Sequence, residues 1–225
     1  MTLQEHLTAV NSLHKNLREA LTNCNDEQKV VDCFIALHSQ LHSKRVSPHT
    51  PWSYEDWLLD DLTKAQIRAV PEGQEHSIAW IIWHLTRIED VTMNLLVAGR
   101  DQVFEAGDWQ EKTASPIKHT GNGTGLDTVK TLSAAVDIVA LRAYRVAVGL
   151  ATQALVQSLT AEDFNRKVSP DHIQRICIEG AVISEGQEAI DYWSRRDVAG
   201  LLLMPPTRHT IVHWNEAEQL KRLIS

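Results

Sequence analysis

The chain has 225 residues, 43% of them hydrophobic, which is enough for one sizeable core and makes a single domain spanning residues 1–225 the default. A formal charge of −7 leaves no cationic surplus to neutralise phosphates, which argues against a nucleic-acid surface or an anionic-membrane surface built on bulk charge. The three cysteines, Cys24, Cys33 and Cys177, are widely spaced and contain no C-x-x-C pair, so neither a disulfide framework nor a thiolate zinc site is indicated. The first residues lack a charged segment followed by an apolar one, and no apolar run approaches the ~20 residues that span a bilayer; the expectation is a cytoplasmic protein.

Residues 3–22 and 27–45 read as two helices separated at Thr22-Asn23-Cys24-Asn25-Asp26, because Asn and Asp compete for backbone hydrogen bonds and favour caps. Val30, Val31, Phe34, Ile35, Leu37 and Leu41 give the second helix a packing face, while residues 1–25 are expected to be an extra arm or part of a homodimer contact. Ser47-Pro48-His49-Thr50-Pro51 is a loop, and Trp52 to Leu62 resumes as a short helix. After Pro71-Glu72-Gly73, residues 76–98 form the clearest helix, with Ile78, Ile81, Ile82, Leu85, Ile88, Leu95 and Leu96 on one stripe and Gly99 as its stop.

Thr113 to Asp127 is polar and reads as a long surface loop leading into a helix over 130–158. Thr160-x-x-Asp163 is a capping-box pattern, Ser169-Pro170-Asp171 opens another helix through about Val182, and 188–203 is helical again until Pro205-Pro206 ends it. Residues 207–223 form the last helix, with Val212, Ala217, Leu220 and Leu223 as its apolar side. No alternating β segment competes. The expected fold is all-α, a four-helix core from 27–45, 76–98, 130–158 and 207–223 with shorter helices around it.

The strongest chemical signal is His209-x-x-x-His213. Residues four apart on an α-helix lie about 40° apart around the axis and about 6 Å along it, so both imidazoles reach one ion. Both fall within the stripe of Val212, Leu220 and Leu223, and an inward histidine needs a partner. His84 stands at the margin of its helix's apolar stripe and supplies a third ligand from another element. Three histidines with an open position are the pattern of a catalytic metal site, and Glu216, three residues after His213, is placed to orient a ligand or act as base. His38 and His42 have the same spacing, with His38 between Phe34 and Leu41 and His42 toward the edge of the stripe; they are the rival ligand set.

The stretch Ser77-Ile78-Ala79-Trp80-Ile81-Ile82-Trp83-His84-Leu85-Thr86-Arg87-Ile88-Glu89-Asp90, with the terminal His209-x-x-x-His213, resembles the DinB/YfiT-like superfamily of metalloenzymes over about residues 27–222. The resemblance implies a four-helix bundle and one divalent ion on His84, His209 and His213. Some relatives are transferases or isomerases that use low-molecular-weight thiols, so it also implies thiol chemistry on a small-molecule substrate. Zinc and nickel lead among the metals, although neutral imidazoles suit iron and copper too.

Weaker signals have plain readings beside them. Gly121, Gly123 and Gly125 have no preceding strand and no following Gly-Lys-Ser/Thr, so a flexible linker is preferred to a phosphate loop. The aromatic cluster from Trp52 to Trp57 is expected to cover the core, and Cys33 to be a core residue. Arg87 and Arg142 are candidate clamps for an anionic substrate, against the alternative that they snorkel to water. Two functions stand at this point: a metal-dependent enzyme that activates a thiol or water for transfer or hydrolysis, and a non-catalytic helical module that binds metal or ligand and acts through a protein partner.

Overall fold

The computed structural model describes residues 2–22 and 26–224, so residues 23–25 of the expected first break lie outside the described residues. Those residues are helical without a named strand; Lys167 and Asp197 form one isolated antiparallel bridge. Helix α1 (Leu3–Thr22) lies along α2 (Glu27–Leu41) and buries Val10, Leu17, Ala20 and Leu21. The segment expected to be an arm is thus packed onto the body, and His14 also donates to the Leu203 carbonyl at 3.1 Å. Helix α2 starts where the Asp26 side chain accepts from Lys29 N and stops at Leu41, four residues earlier than expected. Short helices α3 (Tyr54–Leu59) and α4 (Lys64–Arg68) follow, capped by Ser53 and by the Thr63/Gln66 capping box.

Helix α5 (Ile78–Asp90), capped by Ser77, is buried at every position, the mark of a helix at the centre of a fold. It packs against α9 (Ile138–Val156) and α14 (Thr210–Ile224), and α2 meets α9. Its polar residues are buried with partners, since an unpaired polar group there would cost several kcal/mol. The chain continues from α5 as a π-helical segment, Val91–Val97, and is closed at Gly99 with φ +66°, a conformation that glycine adopts without strain.

After the short helices α6 (Val103–Ala106) and α7 (Trp109–Thr113), the single helix expected over 130–158 is two, α8 (Leu126–Ala135) and α9. The divider is Asp137, whose side chain accepts from Ala140 N and caps α9 while its own N–H bonds to the Thr113 carbonyl. Among the described residues α9 is the one helix long and apolar enough to cross a membrane; half of it is buried in the fold, and Arg145 at its middle is fully buried.

Helix α10 (Ala161–Phe164) carries the expected Thr160/Asp163 capping box, and α11 (Pro170–Ile178) opens at Ser169-Pro170. The expected helix over 188–203 is α12 (Gln187–Ser194) and α13 (Val198–Leu202), because Asp197 accepts from Gly200 N and starts a new cap. Pro205-Pro206 does not end the helical run. The chain widens into a π-helical segment, Met204–His209, that leads straight into α14. Two prolines withhold two donors, and the hydroxyls of Thr207 and Thr210 donate to the carbonyls of Leu202 and Pro205 at 2.8 and 3.3 Å. The buried side of α14 is Thr210, Ile211, Trp214, Ala217 and Leu220; Val212 and Leu223, expected there, are 46% and 58% exposed. Trp214 sets the inward face, so His209 and His213 border the core instead of lying inside it.

Candidate metal centre

His84 comes from the middle of α5, His209 from the end of the π-helical segment and His213 from the first turn of α14. One nitrogen from each lies within 4.8 Å of the others, with ring centroids 5.1 Å (His84–His209), 5.0 Å (His84–His213) and 4.5 Å (His209–His213) apart. The three histidines singled out in the sequence therefore meet. His38 and His42 do not join them but meet Glu89 in a cluster of their own.

The donor chemistry fits a divalent ion. His84 Nδ1 lies 2.7 Å from the Thr120 carbonyl, which can only accept, so Nδ1 carries the proton and Nε2 the lone pair. His213 Nδ1 donates to Glu216 Oε2 at 2.7 Å, with the same result. An outer carbonyl or carboxylate on the far nitrogen is the usual support of a metal-bound imidazole. Burial, then the neighbouring His213, pushes the His84 pKa down to about 3, and burial with His84 and His213 holds His209 well below its ordinary value. Both rings are neutral near pH 7, as ligands must be. His209 Nδ1 is buried and has no hydrogen-bond partner in the structure, a polar atom left for something the chain does not supply.

Glu216 bridges two rings, accepting from His213 Nδ1 at 2.7 Å and from His76 Nδ1 at 2.6 Å. Burial alone would raise its pKa, but the hydrogen bonds from His213 and His76 outweigh it and bring Glu216 to about 2. One of its oxygens is committed to each imidazole, and a carboxylate so acidic is poorly matched to general-base work near pH 7. The indole of Trp80 is sandwiched between His76 and His84, at centroid distances of 3.8 and 4.6 Å, which fixes the plane of the His84 ring.

The loop read as a flexible linker is part of this centre. Thr120 is fully buried, its carbonyl holds His84 and its N–H bonds to the Ala181 carbonyl at 2.8 Å. Gly121 has φ +90° and lies so close to Trp80 that a Cβ would stand 3.2 Å from the indole. A cavity of about 150 Å³ opens beside His209, which lines it with Ile88, Asn122, Tyr192, Trp193 and Met204 among others.

Neither arginine lines that cavity. Arg87 is buried with its guanidinium spent on the Lys118 carbonyl, Asp90, Tyr144 and Gln102, and it stacks on Phe104 at 4.0 Å. Arg142 pairs with Asp56 and Asp60 at 3.3 and 3.2 Å. Both guanidiniums are engaged by carboxylates of the chain itself, Arg87 by the buried Asp90 and Arg142 by Asp56 and the exposed Asp60.

A family model described as the DinB superfamily matches residues 51–216. The chain belongs to the DinB superfamily. The matched span carries all three histidines and Glu216, so the DinB resemblance and the geometry fall on the same residues. A search of curated proteins finds no match. His76, Trp80, Thr120 and Glu89 escaped the sequence reading; only the i, i+4, i+8 spacing of His76, Trp80 and His84 marked any of them in advance.

Proposed function

We propose that this DinB-superfamily chain is a metal-dependent enzyme, a transferase or hydrolase of small molecules, whose divalent ion is held by His84, His209 and His213. The observation that carries the reading is the double position of His209, one of three converging imidazoles and at the same time a wall of the 150 Å³ cavity. Structural metal sites are closed by four protein ligands, while catalytic ones keep a position for water or substrate. No fourth His, Cys, Asp or Glu joins this set among the described residues. Zinc or nickel suits three neutral imidazoles.

When bound, the ion would lower the pKa of a water or a low-molecular-weight thiol and so supply a nucleophile near neutral pH. The chain's own residues do the remaining work. Thr120 and Glu216 hold the tautomers of His84 and His213, and Trp80 holds the plane of His84. Ile88, Tyr192, Trp193 and Met204 make a wall that excludes water from a small, largely apolar substrate, and the Asn122 amide offers it one polar contact.

The test is cobalt-substituted protein compared with its His84→Ala variant, which opens the shell without deleting the i, i+4 pair. A low-molecular-weight thiol should change the wild-type spectrum, support its conjugation to an electrophilic substrate, and do neither in the variant. If azide changes the spectrum and a panel of cellular thiols does not, the thiol is wrong and hydrolysis remains. A spectrum that responds to no added ligand removes the enzyme reading.

A further inference from the structure

The second cluster is built from His38 in α2, His42 at the C-terminal end of the same helix, and Glu89 in α5. All three side chains are fully buried. Nε2 of His38 lies 2.9 Å from Glu89 Oε1 and Nε2 of His42 lies 2.9 Å from Glu89 Oε2, one imidazole to each oxygen, with the two rings stacked 4.1 Å apart. His38 and His42 precede residues 51–216, so the cluster is not contained in the span that the family model describes.

We propose that His38, His42 and Glu89 form a second divalent-metal site, separate from the three-histidine centre. Tetrahedral ligands about 2.1 Å from an ion stand about 3.4 Å apart, so opening each of these 2.9 Å nitrogen–oxygen contacts by about half an ångström brings the three side chains to the spacing of a coordination shell. Charge points the same way. Among the described residues the ion pairs of Glu89 are with these two histidines alone, and Arg145, whose charge reaches His42, is committed to Glu55 at 2.9 Å. A carboxylate taken out of water needs a compensating cation, and a divalent ion supplies it. The chain also makes room for the cluster: a Cβ at Gly149, inside α9, would stand 2.7 Å from His42 Nδ1. Two imidazoles and a carboxylate suit zinc, iron, manganese or nickel.

The outer shells rank the two sites. His84 and His213 each have an acceptor on Nδ1, whereas His42 Nδ1 has no partner and His38 Nδ1 faces only the Gln153 amide at 3.3 Å. Losing such an outer partner typically costs 10- to 100-fold in metal affinity, so the second site should empty first by at least about that factor.

The experiment uses zinc as the probe. Full-length protein is stripped with a chelator, reloaded with Zn²⁺, freed of excess and analysed for metal per chain. The expected count is two in the wild type, one in Glu89→Gln and one in the double variant His84→Ala/His213→Ala, with a competing chelator removing first the ion that Glu89→Gln lacks. A folded Glu89→Gln protein that holds as many ions as the wild type overturns the second site. If Glu89→Gln does not fold, the double variant decides: one ion retained supports the site and none overturns it. A double variant that matches the wild type while Glu89→Gln drops by one would instead refute the three-histidine reading and leave this site standing.

Discussion

Glu216 accepts the Nδ1 proton of His213 at 2.7 Å, and this one hydrogen bond decides which nitrogen of the ring carries the lone pair. The same carboxylate accepts from a second proton-bearing nitrogen, His76 Nδ1, at 2.6 Å, so its negative charge is shared by two imidazoles at the border of the candidate metal centre. Replacing Glu216 by Gln keeps the shape but removes the charge. Metal affinity at the three-histidine centre should fall by about 10- to 100-fold, the usual effect of losing an outer carboxylate, with little change in fold. A chelator competition titration measures it; unchanged affinity would reduce Glu216 to a surface contact.

Arg87 should behave as a residue of the core. Its guanidinium is 1% exposed and faces Asp90, Tyr144 and Gln102, so Arg87→Ala leaves the Asp90 carboxylate buried among groups arranged for an ion pair. Removing one partner of such a pair costs about 3–5 kcal/mol. Denaturant unfolding should show that loss while the folded fraction keeps its metal. Normal stability with lost substrate affinity would restore the role of anion clamp that the sequence suggested.

Much of this was readable before the structure, and the misses have physical causes. His84, His209 and His213 could be grouped because helical spacing and a family motif both fall on them. The partners could not. Thr120 acts through its carbonyl, which any residue possesses, and it lies in a glycine-rich stretch whose composition reads as a linker. The break between α8 and α9 turned on one Asp137 cap inside an otherwise apolar run, and the continuation through Pro205-Pro206 on a π-helical turn, which has no hydrophobic period of its own to detect. His42 looked peripheral because it lies toward the edge of its helix's apolar stripe; the fold covers it completely, with α9 packed against its ring.

Gly149 offers a test of that cover. In an exposed helix interior Gly→Ala stabilises by roughly 0.5–1 kcal/mol. Here the new methyl would meet His42 Nδ1 at 2.7 Å and Val46 Cγ2 at 3.0 Å, inside a packed core. Gly149→Ala should therefore destabilise, by about 1–3 kcal/mol, as overpacking does. The urea midpoint reads the sign directly, and a stabilised variant would mean that the His42 ring moves aside freely.

Acid should unfold the metal-free protein through its buried histidines. His42 and His84 titrate at about 3 in the folded chain, each chiefly because of burial, and near 6.5 when exposed. Between those values the unfolded state binds more protons, so stability rises with pH: it is fully present above about 6.5 and is lost as pH falls toward 3. Each histidine contributes a slope of about 1.4 kcal/mol per pH unit, about 2.7 for the two together. Glu89, held well below its ordinary value by His42 and His38 against the opposing effect of burial, adds a further loss once the pH passes below about 4.5. Glu55 and Asp90, raised by burial, act in the opposite sense and flatten the lower part of the curve. Circular dichroism of the metal-free protein from pH 7 to pH 3 checks the slope, and helicity unchanged down to about pH 3 would show that burial does not hold these two rings neutral.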